Sequence, residues 1–346
     1  MKKLFLFISI ICLSFFAMAQ SQKNQEPFMV KSLSAENIEL VKVQTSGGSI
    51  AVEAVSPSEA RVEVYVRSGK WKEDLSKEEI KKRLDEDYEL TVTVAEKKLV
   101  AVAKNKSKKM NWKNALSISF KVFVSKNIST DLSTSGGSVS LNGVSGNQLF
   151  VTSGGSLIVA NVSGKINGTT SGGSISVSNS SDDIELSTSG GSIIAAYCTG
   201  KIKLTTSGGS LKLDELSGDI AANTSGGNIN GSNIGGTLSS NTSGGNIHLD
   251  GLTCSLDAAT SGGNISIGIK ELGRYIKLNN SGGNIALEMP KGKGLDIDFS
   301  ASKINTDGLE NFTGRADKGI MKGTLNGGGI PVALKSTSGK ISFTLQ

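Results

Sequence analysis

The chain has 346 residues, a formal net charge of +6 and aromatic residues at only 5%. A charge this small, with both signs interspersed, does not mark a nucleic-acid partner. A single histidine excludes a histidine-rich metal centre, and the 43 glycines direct attention to turns.

The chain opens with "MKKLFLFISIICLSFFAMAQ": two lysines, an apolar run, then Ala-Met-Ala before Gln20. This reads as a secretory signal peptide over 1–19, with the mature chain beginning near Gln20. Cys12 lies mid-run with no small residues before it, which argues against a lipid-modified cysteine. Loss of Lys2 and Lys3 takes the net charge from +6 to about +4. No later run is long and apolar enough to span a bilayer, so no integral membrane segment is expected in the mature chain.

Residues 28–130 are mixed. "IELVKVQTSGGSIAVEA" has the form of a strand, a small polar turn and a second strand. "ARVEVYV" follows, then "DLSKEEIKKRLDEDYEL", where Ser76 with Glu79 makes a capping box and Ile80 and Leu84 stand at helical spacing. "LTVTVAEKKLVAVAK" predicts a hairpin turning at Glu96-Lys97-Lys98. The basic run "KNKSKKMNWK" at 104–113 reads as a solvated flank rather than a polymer-binding patch. A solenoid's open end exposes an unpaired strand edge, and this segment is expected to cover it.

From Ser135 the serine of Ser-Gly-Gly recurs at 153, 171, 189, 207, 225, 243 and 261, every interval being 18 residues. The next copy, Ser281, is 20 residues on, which places a two-residue insertion near "GIKELGRY". A fixed period of this size is the signature of stacked repeats. With each serine as column zero, column +4 reads Val139, Leu157, Ile175, Ile193, Leu211, Ile229, Ile247, Ile265. Column +6 is mostly apolar as well, and polar residues alternate with both, as in a half-buried strand. Column +13 (Ile166, Ile184, Ile202, Ile220, Leu238, Leu256) marks a second inward strand; Gln148 does not fit it. Thr at column +17 runs unbroken to Thr260 and should face inward. Column +3 is Ser in the early repeats and Asn in the later ones, a candidate polar ladder. The two turn glycines are expected to supply positive φ and close approach between rungs. About ten rungs at ~4.8 Å give a rod on the order of 50 Å long.

After residue 290 the period breaks, then "GTLNGGGIPVALKSTSGKISFTLQ" returns to Gly turns and alternation. Pro331 suits an edge strand. The organisation expected is a signal peptide at 1–19, a first rung and N-terminal α+β cap at 20–130, a regular solenoid at 131–290, and irregular rungs with a C-terminal cap at 291–346. The fold class is all-β, a parallel β-solenoid with 18-residue, two-strand rungs, one short helix and a hairpin.

The T-S-G-G-[SN]-I-x-V units, the entry "ISFKVFVSKNISTDLSTSGGSVSL" at 118–141 and the ending "LNGGGIPVALKSTSGKISF" at 325–343 resemble the bacterial "putative adhesin" family of exported β-strand repeat proteins. Members often carry Pro where this chain has Ser125 in "VFVSK". The resemblance covers nearly all of the mature chain. It implies an exported solenoid in the periplasm, on the outer-membrane surface or outside the cell, with an adhesive role.

The repeats carry little that points to chemistry. Calcium β-rolls need an Asp column, and column +7 mixes Asp214 and Asp250 with Asn142, Ala160, Ser178, Ala196 and Ser232. The lone His248 falls in outward column +5. Cys198 and Cys254 fall in different columns, so a disulfide is not expected. Asp183, Lys201 and Asp219 share column +12, where alternating charge avoids like-charge stacking. No helix follows the Gly turns, as a phosphate cradle requires. No catalytic, cofactor-binding or metal-ligating residue is singled out, and no cofactor is expected. Sugar stacking, if present, belongs with Trp71, Tyr88 and Trp112 in the cap. The function expected is a structural or adhesive envelope scaffold without catalysis, whose partner is a surface polymer or envelope protein. The alternative is a carbohydrate-binding or polysaccharide-active β-helix protein.

Overall fold

The computed structural model describes residues 26–70, 73–107 and 115–346. The expected signal peptide, Trp71, Trp112 and residues 108–113 of the basic run lie outside the described residues.

The chain forms a parallel β-solenoid. Each regular rung holds an eight-residue strand, as in Ser163–Thr170, and a four-residue strand, as in Ile175–Ser178. Long strands pair in parallel with the long strands of the rungs above and below, so that Ile166 faces Ile184 and Ile184 faces Ile202. Short strands do the same in a second sheet, with Ile175 facing Ile193 and Ile193 facing Leu211. An 18-residue period makes every residue sit beside its own repeat-mate, and columns of one residue type result.

Columns +4, +6 and +13 are buried. Two further inward columns carry too weak an apolar pattern to read from the chain. Column +9 (Val144, Val162, Ser180, Cys198, Leu216, Ile234, Leu252) closes the corner opposite the Gly turns, and column +15 fills the long-strand sheet. In column +15, Phe150 is followed by Gly168 and Leu186. A Cβ on Gly168 would overlap the Phe150 ring, so the glycine is the space the ring occupies. Gln148, the misfit of column +13, is buried and satisfied. It accepts from the Thr130 hydroxyl at 2.7 Å and donates to the Ile128 carbonyl at 2.7 Å.

The T-S-G-G corner is bonded from rung to rung. Each buried Thr hydroxyl donates to the second turn glycine of the preceding rung: Thr170 to Gly155, Thr188 to Gly173 and Thr206 to Gly191, all at 2.8 Å. The same hydroxyl accepts from the second glycine of its own rung, as in Gly209 N–H to Thr206 at 3.2 Å. The expectation of positive φ at these glycines is overturned. None of them is among the positive-φ residues, which gather instead at the opposite corner (Asn161, Asn179, Tyr197, Glu215, Asn233) and at Gly164, Gly200, Gly218 and Gly236. What excludes a side chain at the second glycine is proximity, since a Cβ on Gly209 would overlap the Gly191 carbonyl. The column +3 ladder runs from side chain to backbone: Ser138 accepts from Ser156 N–H at 3.2 Å and Asn246 from Asn264 N–H at 2.7 Å. The longer Asn side chain reaches the next amide more closely than Ser does.

At the insertion the register slips between Leu249 and Leu252, and residues 270–275 loop out, with the Lys270 N–H held by the Leu252 carbonyl. Both ends of the rod depart from chain order. The first rung, Leu40–Thr45 and Ile50–Ala54, lies between the strands Ser129–Thr134 and Val139–Asn142 on one side and Lys98–Asn105 and Leu116–Val124 on the other. Antiparallel strands Tyr88–Ala95, Arg61–Ser68 and Met29–Ser32 lie beyond these. The hairpin turns at Glu96 and Lys97, both at positive φ. The one α-helix among the described residues, Lys77–Asp87, is capped by the Ser76 hydroxyl accepting from Glu79 N–H at 3.2 Å and buries Ile80 and Leu84. The capping box is half made, because the Glu79 carboxylate takes Arg83 at 2.7 Å instead.

At the far end the last rung, Ile330–Ser336 and Lys340–Leu345, is interior too. It is clasped between Ile276–Asn280 and Ile285–Met289 on one side and Leu295–Ser300 and Lys303–Asp307 on the other. Pro331 is therefore not on an edge strand. It is tolerated because the Ile276–Asn280 strand begins only opposite Val332, leaving Pro331 flanked on one side by Asp296.

Two stability outcomes follow from the turn geometry. Gly209→Val should lower the melting temperature several times more than Ser176→Ala, because only the first drives a side chain into backbone; equal melting temperatures would refute the packing described. Thr206→Val, which keeps shape and removes the hydroxyl, strands the Gly191 carbonyl and the Gly209 amide. It should cost about 1–3 kcal/mol by denaturant titration, and Thr206→Ser should recover most of that.

Candidate functional site

The ladder threonines face inward, and several other rung hydroxyls are bonded along their columns. Ser163 donates to Ser145 at 2.9 Å and Ser232 to Asp214 at 2.6 Å. On the outer long-strand face, Lys165, Asp183, Lys201 and Asp219 come into one column, as the spacing requires. The closed ion pair sits two columns on, in the next outward column, Glu185 to Lys203 at 2.7 Å, where the ammonium holds the exposed Glu185 carboxyl below its ordinary range. His248 is exposed in its outward column. Among the described residues no three His, Cys, Asp or Glu side chains gather as a metal site. Cys198 and Cys254 are free and buried, and burial pushes both thiols up, Cys254 to about 12, which keeps them as inert thiols.

Tyr88 is not a stacking platform. Its ring is buried in the core, and its hydroxyl accepts from the Leu116 N–H at 2.8 Å. It lines a 430 Å³ cavity with Thr45, Ala103, Leu116 and Ile118, where the T-S-G-G corner ends.

The densest outward-facing chemistry lies on the antiparallel pair Arg61–Ser68 and Leu116–Val124. Register sets Arg61 opposite Phe123 and Glu63 opposite Lys121. The Arg61 guanidinium lies 3.8 Å from the Phe123 ring centre, and the Lys121 ammonium 5.0 Å from that of Tyr65. Glu63 joins them, accepting from Arg61 Nε at 2.7 Å and from the Tyr65 hydroxyl at 2.7 Å. Burial works against the Glu63 charge. The bonds from Tyr65 and Arg61 and the charges of Arg61 and Lys121 outweigh it and hold the carboxyl low. Burial, then the bond to Glu63, pushes the Tyr65 phenol up to about 12. Each ring has a cation over it and each carboxylate oxygen has a donor, so the cluster is a rigid mixed-charge patch rather than an open cleft. Sequence reasoning missed it. Its signal was the outward set of "RVEVYV" and "KVFV", where Arg, Glu, Tyr, Lys and Phe alternate with buried valines.

No helix among the described residues is long and apolar enough to cross a membrane. No protein-family model matches the chain, and no curated protein matches it. Two solved structures align along most of it. A "putative cell adhesion protein" from Clostridium sporogenes shares 12% identity over 92% of this chain and 98% of its own, with a TM-score of 0.20. A "putative adhesin" from Bacteroides fragilis shares 10% over 91% and 96%, with a TM-score of 0.24. Scores this low describe chains that do not superpose as whole bodies.

Replacing Glu63 by Gln should bring the Tyr65 phenol part of the way back toward 10, since the bond and charge leave but the burial stays. Tyrosine carbon shifts followed against pH measure this. The raised phenol lends stability that is complete below pH 10 and lost as pH climbs toward 12. The lowered Glu63 lends stability that is present above 4.5 and lost as pH falls below it. Glu63→Gln should flatten both flanks of a stability–pH curve.

Proposed function

We propose that this is an exported bacterial envelope protein of the adhesin type, acting as a non-catalytic scaffold. The observation that supports the reading is the use made of the repeated polar residues. Every Thr of the ladder both donates to one glycine and accepts from the next, so the polar group that recurs once in each rung is committed to holding rungs together. What the rod then offers is length, rigidity and a flat exterior of small residues, which suits spacing and multivalent contact. The opening "MKKLFLFISIICLSFFAMAQ" supports export. The resemblance of the T-S-G-G units to exported adhesin-type repeats points the same way. Partners on this reading are a surface polymer or an envelope protein, met on a face or on the end that carries Arg61, Glu63, Tyr65 and Phe123.

Cell fractionation and a turnover assay test this. The mature protein is expected in the periplasm, on the outer membrane or in the medium, with no depolymerisation of envelope polysaccharides. Recovery in the cytoplasm would refute the export. Polysaccharide cleavage lost on Asp183→Asn or Asp219→Asn would refute the scaffold reading.

A further inference from the structure

The outer column +16 of the long-strand sheet runs Asn223, Asn241, Ala259, Asn279, Lys335, each beside the next in parallel register. Asparagines stacked in this way link amide to amide. Asn241 Nδ2 donates to Asn223 Oδ1 at 3.1 Å and to Ser239 Oγ at 3.2 Å. Both of its N–H groups are thereby used, which leaves its Oδ1 as the group to serve the following rung. There the ladder stops, because the residue is Ala259. One rung further, Asn279 has an amide that no hydrogen bond among the described residues engages. A notch of 310 Å³ opens at this place, lined by Ala259, Asn241 and Asn279 and by Ser281, Thr337 and Lys335.

We propose that this notch binds an acetamido sugar, whose amide takes the place of the absent asparagine. The ladder asks for a group with an N–H facing Asn241 Oδ1 and a carbonyl facing the Asn279 amide, one rung from each. Asn241 and Asn279 are two rungs apart, about 9.5 Å, which leaves room for one planar amide between them. A secondary amide carries both functions in one plane. The notch is larger than an amide, and the remainder is lined by the hydroxyls of Ser281 and Thr337 and the ammonium of Lys335. Those groups match the ring hydroxyls of a sugar. The site is at the small end of ligand pockets and is open, so single-site binding is weak and gains from repetition along a glycan. It is distinct from the Tyr65 cluster and does not depend on the scaffold reading.

The test uses the purified mature protein with N,N′-diacetylchitobiose and, as comparator, cellobiose, which has hydroxyls in place of the acetamido groups. Titration followed by amide NMR is expected to shift the Ala259 backbone and Asn279 side-chain signals with diacetylchitobiose, about tenfold more tightly than with cellobiose. Ala259→Asn completes the ladder and occupies the place of the acetamido group. It should keep or raise the melting temperature and reduce binding about tenfold or more. Asn279→Ala and Lys335→Gln, both outward-facing, should each weaken binding in a protein of unchanged spectrum. Equal affinity for the two sugars, no shifts with either, or undiminished binding by Ala259→Asn would overturn the proposal. Whether the protein is exported or catalytic does not affect any of these outcomes.

Discussion

The structure depends on one hydroxyl placed between two glycine backbones. At the T-S-G-G corner the chain reverses between its two sheets, and the interior turn groups have no strand partner. The buried Thr supplies both, donating to the glycine carbonyl of one rung and accepting from the glycine N–H of the next. This fixes the distance between rungs, and with it the rule that the second glycine carries no Cβ. The interaction outlives the residue. Where the period breaks, Asn280 donates to the Gly263 carbonyl and accepts from the Gly283 N–H; in the last rung Ser336 does the same with Gly283 and Gly339. At the other end Thr45 turns to the Ile118 carbonyl.

A ladder that holds rungs in step has two consequences. The core must be filled column by column, and a large residue in one rung is answered by a small one in the next, as Phe150 is by Gly168. And the stack has ends. At the N-terminal end both sheets are closed by strands that double back antiparallel, and at the far end the long-strand sheet is, through Ile320–Leu325 against Leu295–Ser300, while the first and last rungs of the chain are held between others. An antiparallel end strand does not repeat the columns of the rungs, which blunts edge-to-edge growth. Closing the ends requires pairings far apart in sequence, such as Ile285 with Ile341, so these contacts carry a larger loop-closure cost than rung-on-neighbour stacking.

The same economy locates the places where function is available. Within the regular rungs the polar groups are largely occupied by their own repeat-mates. Chemistry that faces outward with some rigidity sits where the repeat is broken: the antiparallel pair with Tyr65 and Phe123 at one end, and the interrupted amide column at Ala259. A perfectly periodic rod of this kind presents a uniform surface; departures from the period give it addresses.

By itself the sequence determined the solenoid, the 18-residue rung, the inward columns +4, +6, +13 and the buried Thr rank, because stacking in register turns a period along the chain into a column in space. The helix over 77–87 and the hairpin at Glu96-Lys97 were legible from local capping and turn chemistry. Tertiary structure alone decided the rest. Column +9 admits Val, Ser, Cys, Leu and Ile, a mixture whose burial is set by the corner and not by residue type. The reason for the second glycine of each pair was proximity between rungs rather than positive φ, a fact about the neighbouring strand. The end rungs' placement inside the stack, the interior position of Pro331, the burial of Tyr88 and the Tyr65–Glu63–Arg61 cluster all depend on pairing between distant segments, which no local pattern encodes. So does the notch: Ala259 is an unremarkable residue until Asn241 and Asn279 are set on either side of it.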